Sequence, residues 1–163
     1  MNPKEQVIAW LNDAYSMEKS IAQVLENHVR DAKDSPELQL RLEAHLQETR
    51  AQAERVQRCI EGLGGSVSST KSFFSQMMGK IQGLGTGLAS DEKLKNLLMD
   101  YSTEHFEIAC YKSLIRAGEL LGISDVVSVA RQNLQEEERM ADWLAMQIEP
   151  ATAEFLQAEA VHA

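Results

Sequence analysis

The sequence predicts an all-α chain: a four-helix bundle with one long crossover. Three observations lead there. Alternating β-branched runs are absent, so strands are not expected. Four helix-length segments carry apolar residues at three- and four-residue spacing. Between the second and third lies a Gly- and Ser-rich stretch from Gly64 to Glu92, too long for a simple turn. A length of 163 residues suits one domain, residues 1–163.

Each element has its own signals. Asn2-Pro3 opens a first helix, about 3–32, with Ile8, Leu11, Tyr15, Glu18, Ala22 and Leu25 on one stripe. Ser35 as N-cap and Pro36 at the first helical position start the second, about 36–62. It carries Leu38, Leu42, Leu46, Thr49, Ala53, Val56 and Ile60, and glycines 62, 64 and 65 end it. An apolar island in the connection, SFFSQMMGKIQGL, predicts a short crossover helix at about 71–82. Its Phe73, Phe74, Met77 and Met78 are expected to cover the bundle. One long crossover departs from simple up-down-up-down order. Ser90-Asp91-Glu92 starts a third helix, about 91–118, with Leu94, Leu97, Tyr101, Glu104, Ile108, Tyr111 and Ile115 inward and Gly118 and Gly122 at its end. Ser124-Asp125 starts a fourth, about 125–149, closed by Pro150. The tail after Pro150 reads as a last turn or a short docking helix.

The apolar stripes are interrupted by acid. In YSMEKS (15–20), EAHLQET (43–49), YSTEHFEIACY (101–111) and NLQEEERMADWL (133–144), glutamates fall on or beside the inner face. An ionised carboxylate in a dry core costs several kcal/mol. Four helices that each turn acid inward need a cation. Glu104 and Glu107 share a face at i, i+3, and so do His45 and Glu48. Glu18 stands alone among apolar neighbours. The run Glu136-Glu137-Glu138 is mostly solvated with one member inward. The stripe favours Glu137. A weak internal repeat, laying His45-Leu46-Gln47-Glu48 over Asn133-Leu134-Gln135-Glu136, favours Glu136. Clustered carboxylates repel or take up protons unless cations hold them. Two divalent ions bridged by shared carboxylates relieve this, and oxygen donors with a little imidazole favour iron or manganese over zinc or copper. The Glu-x-x-His pairs of known di-metal bundles are missing, because His45 precedes Glu48.

Taken together, WLNDAYSMEK, HLQET, FEIACYKSL and EEERMADWL resemble the ferritin-like YciE/YciF family, its YciE branch most closely, over nearly the full length. The resemblance implies a ferritin-like bundle, a dinuclear metal site, a homodimer and a link to stress response. It puts Glu18, Glu48, Glu104, Glu107 and one of Glu136 or Glu137 at ligand positions, with His45 as the best histidine candidate. His28, His105 and His162 read as exposed and receive no role, and Tyr15, Tyr101 and Tyr111 read as core aromatics.

The leading functional expectation is a di-iron or di-manganese protein reacting with dioxygen or peroxide. The alternatives are a non-enzymatic helical dimer and iron storage. A net charge of −9 argues against nucleic acid or an anionic membrane as partner. No apolar run reaches the ~20 residues of a membrane span, and the N-terminus lacks a signal-peptide core. Cys59 and Cys110 read as reduced thiols, so a cytoplasmic location is expected. No serine or cysteine has a His-Asp partner pattern, no glycine loop fits a nucleotide fingerprint, and no catalytic residue is assigned.

Overall fold

The computed structural model describes residues 2–68 and 91–162, the last two by their backbone alone. The crossover helix expected at 71–82, with its Phe and Met residues, lies outside the described residues. Among the described residues, four α-helices form two hairpins: α1 (Pro3–Asp31) with α2 (Pro36–Gly62), and α3 (Glu92–Leu121) with α4 (Ser124–His162). The hairpins meet through α1 against α3 and α2 against α4. Cross-bundle pairs fix antiparallel directions. His28 meets Asp100 and Glu18 meets Tyr111, while His45 faces Glu137 and Arg55 faces Asn133.

Local chemistry explains the ends. Asn2 and Glu5 form a reciprocal capping box, each side chain accepting the other's backbone N–H at 2.9 Å. A 3₁₀ turn, Ala32–Asp34, leads into α2, where Pro36 sits at the start and the Ser35 side chain makes no capping bond. Gly122 ends α3 in the left-handed conformation at φ 66°, and the Ile123 N–H reaches back to the Gly118 carbonyl at 2.8 Å.

Two boundaries differ from expectation. Gly118 lies inside α3, not at its end. A Cβ there would sit 2.9 Å from Val127 Cγ2 and 3.2 Å from the Ile123 carbonyl oxygen, so this glycine permits close approach of α3 to α4. Pro150 does not close α4, which runs on to His162. A mid-helix proline removes one backbone donor. Here the Thr152 hydroxyl donates to the Ile148 carbonyl at 2.8 Å, Ala151 is buried, and Lys93 pairs with Glu154 at 2.9 Å. These contacts hold the extension beyond the proline.

Apolar layers fill both ends of the bundle. Val7, Leu11, Val56, Ile60, Leu114 and Val126 pack one end, and Leu25, Leu42, Leu97 and Leu144 pack the other. Between them the core turns polar. Glu18, His45, Gln52, Glu104, Glu107, Asn133 and Glu137 are each 1% exposed or less. No helix among the described residues is long and apolar enough to cross a membrane.

Candidate metal centre

The polar layer is assembled by register. Glu104 and Glu107 lie on one face of α3, and Tyr111, one turn beyond Glu107, continues it. Glu18 enters from α1, His45 and Gln52 from α2, Asn133 and Glu137 from α4. Among the described residues, two groups of metal-ligating atoms converge. One is His45, Glu104 and Glu137; the other is Glu18, Glu107 and Glu137. Within each, one donor atom per residue lies within 4.8 Å of the others. Glu137 belongs to both.

Hydrogen bonds satisfy only part of this layer. His45 Nε2 lies 3.1 Å from Glu104 Oε1 and 3.7 Å from Glu137 Oε2. The Tyr111 hydroxyl donates to Glu18 and accepts from Asn133 Nδ2 at 2.9 Å. Gln52 Nε2 donates to Glu137. Among the described residues, the second oxygen of Glu18, of Glu104 and of Glu137, and both oxygens of Glu107, have no hydrogen-bond partner. Buried acceptors normally find one, and each left without costs about 1–3 kcal/mol.

Electrostatics follow from this crowding. Burial lifts the Glu18 carboxyl to about 8 against the opposing pull of Tyr111 and His45. Burial, then repulsion from Glu137, Glu18 and Glu104, lifts Glu107 well above the usual range. Burial with repulsion from Glu104 and Glu18 does the same to Glu137. Burial alone would lower the His45 imidazole, but Glu104 and Glu48 outweigh it and raise it to about 9. Glu18, Glu107, Glu137 and His45 thus all hold a proton more tightly than the free side chains do. A donor set of four carboxylates and one imidazole, with five lone oxygens, could hold metal ions.

Two of the expected ligands stand outside the cluster. Glu48 is on the rim, its side chain 29% exposed, 3.1 Å from His45 Nδ1 and 3.6 Å from Arg41. Its role there is to hold the imidazole with Nε2 inward. Glu136 pairs with Arg55 and accepts from Gln52 at 2.9 Å. It is therefore Glu137 that faces the centre, as the stripe predicts and the repeat does not. One residue, about 100° of helix rotation, separates the register of the repeat from the actual inward position.

Sequence reasoning missed several polar residues. Gln52 and Asn133 are buried, and Arg55 Nε donates to Asn133 Oδ1 at 2.8 Å. The signal for Asn133 was available, since the repeat lays it over His45. His28 is not exposed as expected. It is largely buried, with Nδ1 at 2.8 and 3.0 Å from the two oxygens of Asp100, itself buried and unforeseen. His105 is exposed and sets its ring edge-on to Tyr101. Both cysteines are free, Cys59 buried and Cys110 half-buried.

Two antiparallel helical hairpins around a buried carboxylate–imidazole layer define a ferritin-like bundle protein. Within that class, the chain belongs to the family described as a domain of unknown function, DUF892, which matches residues 2–157. It is 30% identical over 134 residues to the protein YciF of Escherichia coli K12, covering 78% of each chain. A crystallised protein of Xanthomonas campestris pv. campestris has the same fold at a TM-score of 0.83 and 33% identity, over 98% of this chain and 99% of that one. The crystal structure of YciF, described as an E. coli stress protein, superposes with a TM-score of 0.79 at 24% identity, over 94% and 98% of the two chains.

Proposed function

We propose that the bundle holds two divalent ions, iron or manganese, and acts on dioxygen or peroxide in a stress setting. The observation that carries this reading is the sharing of Glu137 by two donor groups drawn from all four helices. The charges support it. Glu18, Glu104, Glu107 and Glu137, once ionised, carry four negative charges, which two dications neutralise.

His45 Nε2, Glu104 and Glu137 would hold one ion, and Glu18, Glu107 and Glu137 the other. When bound, the ions supply one-electron chemistry toward a small oxidant. The chain supplies placement. Glu48 accepts from His45 Nδ1 and so fixes Nε2 as the ligand atom. The Tyr111 hydroxyl holds Glu18 in place, and Gln52 holds Glu137. Glu18, Glu107, Glu137 and His45, whose protons are held tightly, would have to release them to serve as ligands. The apolar layers above and below limit water.

We further take the chain as a cytoplasmic homodimer of the YciE branch. The free cysteines support a reducing compartment, and a dimer by light scattering would set it apart from a storage shell. The functional test is metal analysis of chelator-free protein, followed by peroxide consumption by the manganese and ferrous forms. The reading expects about two ions per chain and peroxide loss that Glu107→Ala abolishes. Protein that binds neither ion overturns it.

A further inference from the structure

We infer that the two halves of the centre are chemically unequal, and that the chain is built for a mixed pair: an imidazole-favouring ion such as iron or zinc at His45–Glu104–Glu137, and manganese at Glu18–Glu107–Glu137. This rests on the dinuclear reading above. Because Glu137 is common to both groups, it cancels from the comparison. What remains is one imidazole and one carboxylate on one side, and two carboxylates on the other.

The difference is fixed by the surroundings. His45 is fully buried, and Glu48 holds its Nδ1 at 3.1 Å, so a nitrogen donor is ready on the first side. On the second side, both oxygens of buried Glu107 lack partners, and the neighbouring phenol of Tyr111 already donates to Glu18. Among the described residues, that group offers carboxylate oxygens alone, and the neighbouring amides, Gln52 and Asn133, carry no nitrogen lone pair that could ligate. Imidazole suits zinc, copper, iron and nickel, whereas carboxylates suit manganese and magnesium. Zinc outcompetes manganese at either position, but by a wider margin where nitrogen is present. The oxygen-only side also bears one more negative charge, which favours a hard ion.

Zinc and manganese are the probes. Protein loaded with two manganese ions is titrated with one equivalent of zinc and followed by native mass spectrometry and electron paramagnetic resonance. The mixed zinc–manganese species should dominate, and the spin-coupled manganese signal should give way to that of an isolated manganese ion. His45→Gln should lose the preference, so that zinc displaces both manganese ions in parallel. Glu107→Gln should keep one zinc and lose the retained manganese. A statistical mixture of all-manganese, mixed and all-zinc protein in the wild type overturns the inequality while leaving the dinuclear reading standing. Binding of fewer than two ions overturns the dinuclear reading itself.

Discussion

Replacing Glu18 by Gln should reverse the ordinary cost of losing a buried hydrogen-bonded residue, once metal has been removed. In the folded chain the Glu18 carboxyl titrates at about 8, against 4.5 for the free side chain. A raised acid makes no demand below the lower value. As pH rises from there through the higher one, the unfolded chain ionises and the folded chain does not, so stability falls. Each unit of separation is worth about 1.4 kcal/mol. Between about pH 5 and about pH 7, the wild type should therefore lose about 2–3 kcal/mol that Glu18→Gln does not lose. His45, raised from 6.5 to about 9, acts in the same direction. It adds stability below the lower value and loses it as pH rises through the higher. The assay is urea unfolding by circular dichroism in chelator across this range. Saturating manganese should cancel the slope, because the ions take the place of the protons. Parallel curves for variant and wild type in chelator would refute the reasoning, since Glu18 would then be ionised in the fold.

Three other predictions rest on separate features. Glu48→Ala should keep two ions per chain but weaken their affinity roughly 10- to 100-fold, as expected when the partner of a ligating histidine is lost; equilibrium dialysis reads it, and loss of an ion would make Glu48 a ligand instead. Tyr111→Phe removes the donor to Glu18 and strands the Asn133 amide, so denaturant unfolding should show a loss of about 1–3 kcal/mol. Gly118→Ala should cost about 1–3 kcal/mol through contact with Val127, with the metal content unchanged.

The helices were legible in sequence because apolar spacing, Asn2-Pro3, Ser35-Pro36 and Gly122 are local signals that tertiary packing did not overrule. Pro150 misled, because the contacts that carry α4 past it come from Thr152, Ala151 and the distant Lys93. The inward acids Glu18, Glu104, Glu107 and Glu137 were legible for a complementary reason: they break a pattern that solvation otherwise enforces. Glu48 and Glu136 were harder. Both sit one step from the inner face, Glu48 against His45 Nδ1 and Arg41 of its own helix and Glu136 against Arg55 of another. Cross-helix pairing leaves no trace in periodicity. The same blindness hid His28 with Asp100, two residues far apart in sequence that satisfy each other at one end of the bundle.

Anomalous diffraction from crystals grown with manganese puts the central claim to its most direct test. Two peaks should appear inside the bundle on either side of Glu137, within bonding range of Glu18, His45, Glu104 and Glu107. Manganese found only at the protein surface, with these carboxylates bound to water, would contradict it.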